Sequence, residues 1–112
     1  MTPMPGIVMF SRLWRTPDDI EALESRAKNK SEFLDLYPNF PARARVGIFL
    51  GIDYRDLYRL CIQRGDADCE ARYANLAIEQ FRKVGAEHAG SDSGELATGL
   101  LDRTRSEIES QR

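Results

Sequence analysis

Two arginines one helical turn apart, Arg55 and Arg59, are the side chains whose type and spacing most clearly suggest chemistry. A guanidinium group can form two parallel hydrogen bonds to a carboxylate, a phosphate or the edge of a base. Like charges four residues apart weaken an isolated helix, so helix stability gives no reason for the pair. Either the two arginines bind something anionic outside the helix, or they form the solvated basic face of an ordinary helix.

Residues that usually carry out catalysis or bind metals are few and scattered. His88 is the only histidine, and no activating partner lies near it in sequence. Cys61 and Cys69 lack the close spacing of a structural zinc site, and the alternating acids of residues 66–70 are not followed by a calcium-binding loop. There is no glycine-rich phosphate loop. The sequence therefore predicts a protein that is not an enzyme and that uses neither a cofactor nor a metal.

The segment that must position the two arginines, residues 43–64, has the pattern of two short helices joined by a tight turn. Gly47 would let two helices cross closely, and Gly51 can adopt the positive φ that ends a helix. The turn would run from Gly51 to Asp53. Asp53 would then cap a second helix over residues 54–64.

A small residue, a glycine four residues later and an apolar residue six beyond that recur in one known motif. Here these residues are Gly47, Gly51 and Leu57, and the arrangement resembles the helix-turn-helix of DNA-binding proteins. The resemblance covers roughly a fifth of the chain. It implies a sequence-specific transcriptional regulator whose partner is double-stranded DNA. If the regulator is a two-fold dimer, its half-sites should lie about 34 Å apart.

The same resemblance assigns the individual DNA contacts, because the second helix would enter the major groove. The residues predicted to contact bases are Arg55, Arg59, Tyr58 and Gln63. The residues predicted to contact the DNA backbone are Arg43, Arg45 and Tyr54. Solvated surface charge is the alternative interpretation of Arg43 and Arg45.

The distribution of charge along the chain agrees with this assignment. The chain has 112 residues, 42% of them hydrophobic and 30% charged, as expected for one globular domain. Its net charge of −2 argues against a non-specific nucleic-acid coat protein. Residues 40–65 nevertheless carry five basic and two acidic side chains, whereas residues 1–39 and 66–112 are both net acidic. Positive charge is thus concentrated in the predicted DNA-binding segment.

Apolar periodicity predicts an all-α fold, a small bundle of about five helices that contains the helix-turn-helix. We expect an N-terminal arm at residues 1–15 and a helix-turn-helix core domain at residues 16–85. A linker at residues 86–94 would connect the core domain to a C-terminal helix at residues 95–112.

Two helices are predicted before the motif. Thr16 would cap the first helix, with Pro17 at its first position. Ser31 would cap a second short helix, which Pro38 would end.

Two further helices are predicted after the motif. The most regular apolar spacing indicates a helix over residues 66–84, with Gly85 as its C-terminal stop. The final helix, capped by Ser93, has a thin apolar stripe interrupted by Gly99. Such a helix is marginal alone, so we expect it to pair with a second protomer in a homodimer or to remain a frayed tail.

The N-terminus and the cysteines indicate the compartment. Residues 1–14 have no basic start, and Ile7–Phe10 is their one unbroken apolar run, so we expect neither a secretory signal nor a membrane span. The two cysteines are expected to be reduced, buried thiols of a cytoplasmic protein.

The N-terminal arm has two possible roles. Trp14 would anchor the arm on the core. Alternatively, the arm, with Arg12 and Arg15, would enter a minor groove of DNA.

A second function from a different class is a helical adaptor or inhibitor that binds another protein. Asp53 and Asp56 place negative charge at the end of the helix that would approach phosphate, which disfavours DNA binding. In this interpretation Tyr58, Ile62 and Arg59 form the protein-binding hot spot, for which tyrosine and arginine are well suited.

Overall fold

The structure, a computed structural model, describes residues 17–111, with side chains from Ile20 to Gln111. This part of the chain is all-α, as predicted, but has four helices rather than about five. The helices are α1 (Pro17–Leu36), α2 (Arg43–Arg64), α3 (Ala67–Glu87) and α4 (Asp92–Ser110). Thr16 and the predicted arm of residues 1–15 lie outside the described residues.

α1 runs from Pro17, the first described residue, to Leu36 and does not break at Ser31. Ala27 and Leu34, seven residues apart on either side of Ser31, are both buried on the same face of the helix. Ser31 lies inside the continuous helix and lines a cleft together with Tyr54 of α2, rather than capping a helix. The prediction of two short helices here is wrong because tertiary contacts on one continuous stripe outweigh the local capping signal.

α2 is one continuous helix of 22 residues, so the predicted turn from Gly51 to Asp53 is wrong. Both glycines of the motif lie inside the helix and face α3. A Cβ at Gly47 would lie 2.7 Å from Val84 Cγ2, and a Cβ at Gly51 would lie 2.5 Å from Phe81 Cε1. Both glycines therefore permit close packing of α2 on α3, and neither supplies a bend.

The turn between α2 and α3 is fixed at both ends. Gly65 ends α2 with a left-handed φ of 72°, and Asp66 caps α3 by accepting a hydrogen bond from the Cys69 amide at 3.1 Å. Cys61 and Cys69 form a disulfide across this turn, with their α-carbons 5.6 Å apart. The expectation of two reduced thiols is therefore wrong.

Two predicted helix boundaries shift by a few residues near the second turn. α3 continues past the predicted stop at Gly85, because Gly85 contacts α4, where an added Cβ would lie 3.1 Å from Thr98 Oγ1. α4 begins at Asp92 and is capped by Ser91 rather than by Ser93. Its inner face is buried against α3 of the same chain, with Ala97 fully buried.

The antiparallel pair α2 and α3 forms the centre of the molecule. α1 packs antiparallel on one flank of α2, and α4 packs on α3 and on the opposite flank of α2. Within residues 17–111, the backbones of α1 and α4 do not approach each other. α2 is thus covered on three sides.

A hydrogen bond also joins α1 to α3. The Tyr73 hydroxyl of α3 donates it to Glu24 of α1. Burial and this hydrogen bond raise the pKa of Tyr73 to about 12.

Candidate functional site

The residues predicted to contact DNA bases do not share one free surface of α2. Tyr58 is only 4% exposed and borders a cleft between α3 and α4. Arg55 is half-buried, and within the described residues its Nε has no hydrogen-bond partner. Gln63 is exposed near the end of the helix. These side chains point in different directions because they belong to the middle and end of one long helix.

Arg59 is held by carboxylates of its own chain. Its Nε donates to Glu107 Oε2 at 2.8 Å, and its Nη2 donates to Glu107 Oε1 at 2.7 Å. Asp56 lies 3.6 Å from Arg59 Nη1. The bidentate hydrogen bond raises the pKa of Arg59 and lowers the pKa of Glu107 from their usual values. The guanidinium fork that was predicted to read a base is occupied.

The three predicted backbone contacts also differ in availability. Arg43 Nη1 donates to the Leu34 carbonyl oxygen at 2.6 Å and closes the corner between α1 and α2. Tyr54 stacks on Tyr73, with ring centroids 6.2 Å apart, and burial raises the pKa of Tyr54. Arg45 is exposed. Of the seven predicted contacts, Arg45 and Gln63 are the exposed residues that form no ion pair within residues 20–111.

The hot spot assigned to the alternative function does not form a surface either. Tyr58 is buried, and Ile62 packs against the core cluster that includes Leu57 and Cys61. If this protein binds a partner protein, the contact surface must lie elsewhere.

One side of α2 is not covered by any of the described helices. Phe49 lies two residues from Gly47 and two from Gly51, and is therefore roughly 200° around the helix from the glycines that face α3. Its side chain is 49% exposed. Residues Arg45, Phe49, Ile52, Asp56 and Leu60 follow one another at intervals of three or four along this side. This spacing places them in one stripe along the helix, in which Arg45 and Phe49 are exposed and Ile52 and Leu60 pack partly against the core.

The edge of α1 that borders this stripe carries a second one. Its residues, again spaced by three or four, are Leu23, Arg26, Lys30, Phe33 and Tyr37. Leu23 and Arg26 line a cleft of about 490 Å³ together with Asp56 and Leu60 of α2. At the end of the stripe Phe33 contacts Tyr37 and Phe40, with ring centroids 4.9 and 5.0 Å apart. Tyr37 and Phe40 are 55% and 41% exposed.

The edge of α4 on the other flank carries a third stripe, Leu96, Leu100, Arg103 and Glu107. Leu100 packs against the cluster of Ile48, Val84 and Ala97, and Glu107 binds Arg59 of α2, so this edge borders α2. Leu96, one turn before Leu100, is 55% exposed. We call the three stripes together with Phe40 the open face.

The acidic groups of the open face are neutralised within the chain. Lys30 Nζ lies 2.5 Å from Asp53 Oδ2, and the Asp53 side chain is only 7% exposed. This ion pair crosses from α1 to α2 at the floor of the cleft. Burial raises the pKa of Asp56 even though Arg55 and Arg59 act in the opposite direction. The spacing of residues 45–60 was visible in the sequence, but their exposure depends on where α1, α3 and α4 pack.

Comparisons with known proteins do not assign this face. No family model, curated protein or solved structure matches the chain significantly. Within the described residues, no group of three or more histidine, cysteine or acidic side chains could hold a metal ion. None of the helices of residues 17–111 is both long and apolar enough to cross a membrane.

Proposed function

We propose that this protein is a helical adaptor that binds another protein through the open face. The observation that carries the proposal is the gathering of exposed apolar side chains on the one side of α2 that no described helix covers. These side chains are Tyr37, Phe40, Phe49 and Leu96. Exposed apolar side chains grouped together, with polar residues beside them, are typical of protein-binding surfaces.

The types of these residues fit that role. Aromatic side chains bury a large area on binding and have few rotatable bonds to immobilise. Tyr37 and Phe40 are supported by Phe33, which contacts both rings. Their positions are therefore set before a partner arrives, and less conformational entropy is lost on binding.

DNA binding by a transcriptional regulator is the second proposal. It is supported by the positive segment of residues 40–65 and by the exposed Arg45 and Gln63. It is weakened by the engagement of Arg59 with Glu107 and by the burial of Tyr58. A homodimer remains a prediction within either proposal.

Site-specific photo-crosslinking of the full chain tests these proposals together. A benzophenone amino acid replaces Phe49 in one variant and Leu96 in another, and the chain is irradiated in cells that express it. The matched control replaces Leu76, an exposed leucine of α3 away from the open face. We expect a protein adduct of defined mass from positions 49 and 96 and none from position 76.

The other outcomes each contradict the adaptor proposal. An adduct with the mass of two copies of this chain would assign the open face to self-association. Crosslinking to nucleic acid would favour the regulator. No adduct at either position, or equal adducts at position 76, would mean that the open face is not the binding surface.

A further inference from the structure

The open face is shaped to receive a helix. Its central stripe on α2 repeats at intervals of three and four residues, the spacing with which helices pack on one another. α1 and α4 lie on opposite flanks of α2 without approaching each other within residues 17–111. They leave a trough with the stripe of α2 as its floor. Paired helix axes lie about 8–10 Å apart, so a helix in this trough would pack on α2 as α3 does on its other side.

The length of the stripe sets the length of its occupant. Arg45 and Leu60 are 15 residues apart in the same helix. At 1.5 Å per residue this separation is about 22 Å, which corresponds to a partner helix of about four turns. Apolar side chains at intervals of three and four on that helix would meet Phe49, Ile52 and Leu96.

The charge of the open face selects the other side chains of the partner. Arg45 of α2 and Arg103 of α4 are exposed, and neither forms an ion pair within residues 20–111, whereas the charge of Arg26 on α1 acts on Asp56. Three acidic side chains in and beside the face, Asp53, Asp56 and Glu107, are engaged by Lys30 and Arg59. The face thus presents uncompensated positive charge on a chain whose net charge is −2.

One acidic side chain lies at the edge of this face. Asp92 is four residues before Leu96, in the first turn of α4. There the positive end of the helix dipole offsets part of its charge. Asp92 opposes an acidic partner at one end of the trough only, whereas Arg103 lies 11 residues further along α4.

We infer that the open face binds an amphipathic helix of a partner protein, with an apolar stripe flanked by glutamate and aspartate. This inference rests on the proposed adaptor function and names the chemistry of its partner. The apolar stripe covers Phe49 and Leu96, and the flanking carboxylates reach Arg45 and Arg103. DNA would satisfy the arginines but would leave the exposed apolar side chains uncovered, so the observations favour a helix.

Selection from a displayed peptide library tests this chemistry. The 16-residue peptides carry leucine at four positions spaced as on one helix face, and the remaining positions vary among Glu, Lys, Gln and Ala. The full chain is the target. Enriched peptides are synthesised, and their affinities are measured by fluorescence anisotropy at low and high salt, with a random DNA duplex as a parallel probe.

We expect glutamate to be enriched over lysine beside the leucines. The double substitution Arg45→Glu and Arg103→Glu should weaken binding about tenfold, in line with two partly exposed charge pairs. Arg105→Glu is the matched control. Arg105 is also exposed on α4 but lies two residues, roughly 200° around the helix, from Arg103. It should leave the affinity unchanged, and high salt should weaken binding to the wild-type chain.

Failure of the inference and failure of the proposed function give different results. Enrichment of lysine-rich or uncharged peptides that still lose binding on Phe49→Asp would overturn the acidic helix and leave the adaptor function standing. If no enriched peptide is sensitive to Phe49→Asp, the adaptor function itself is overturned. DNA binding that Arg45→Glu and Arg103→Glu abolish would assign the open face to nucleic acid instead.

Discussion

Gly51 faces the ring of Phe81 so closely that even a methyl group has no room there. In the sequence this glycine resembles the turn of a helix-turn-helix, but in the structure it allows α2 to pack closely on Phe81 of α3. The two roles require the same residue for different reasons, since one uses its freedom in φ and the other uses its missing side chain. At the scale of single residues, the distinction can be tested directly.

Gly51→Ala should destabilise the protein by about 1–3 kcal/mol, because the added Cβ would lie 2.5 Å from Phe81 Cε1 and force α2 and α3 apart. The free energy of unfolding, measured by urea titration, gives the result. The control is Gly99→Ala in α4, where an added Cβ meets nothing within 4 Å. Alanine there should raise stability by about 0.5–1 kcal/mol through its helix propensity. A Gly51→Ala protein as stable as wild type would contradict the packing role.

Glu107→Gln should lower stability at neutral pH by about 0.5–1 kcal/mol, because it breaks the bidentate contact with Arg59. The pKa of Glu107 is lowered in the folded state, so its contribution is present above the unfolded value of 4.5 and is lost as pH falls through the folded value. Thermal unfolding of both proteins from pH 7 to pH 3 should therefore show a constant gap that closes below about pH 4.5. A gap that persists at pH 3 would mean that the carboxylate is not responsible.

At the scale of helices, the boundaries set by local chemistry were predictable and those set by packing were not. Asp66 marks the start of α3 through its own side chain, and the prediction of a helix start there is confirmed. Ser31 and Gly51 look like boundaries in sequence, yet each is inside a helix because a neighbouring helix contacts it. Such contacts depend on residues distant in sequence, and a single chain read alone does not reveal them.

The candidate site followed the same division. The stripe of residues 45–60 on α2 has a spacing that can be read from the sequence. Whether each of these side chains is free to contact a partner cannot be read from the sequence. Arg59 is engaged by Glu107, 48 positions later in the chain, and that contact appears only when α4 packs beside α2. The residues of the open face are exposed because no described helix packs on them.

The disulfide between Cys61 and Cys69 ties the end of α2 to the start of α3. A crosslink that closes a short loop of this size should contribute about 2–3 kcal/mol to stability. Reduction, or Cys69→Ser, should therefore lower the free energy of unfolding by that amount, and the two treatments together should have no further effect. The control is the mass of the unreduced chain, which should be smaller than the mass of the reduced chain by two hydrogens. An unreduced chain that retains both hydrogens would show that the bond does not form.

At the scale of the whole molecule, stability and binding should be separable. The side chains of Phe49 and Leu96 are about half exposed and face the trough rather than the α2–α3 contact. Phe49→Asp together with Leu96→Asp should change the free energy of unfolding by no more than about 1 kcal/mol, yet abolish binding of peptides selected on the wild-type chain. Circular dichroism during urea unfolding and fluorescence anisotropy give the two values. A doubly substituted chain that is unfolded would show that these side chains belong to the core.

Partners should approach the side of α2 opposite α3. Nuclear magnetic resonance of the isotopically labelled full chain, titrated with a selected peptide, locates the contact surface. We expect the largest amide shift changes at Arg45, Phe49 and Leu96, while the exposed face of α3 around Leu76 remains unchanged. Changes concentrated around Leu76, with Phe49 and Leu96 unaffected, would show that partners bind another face.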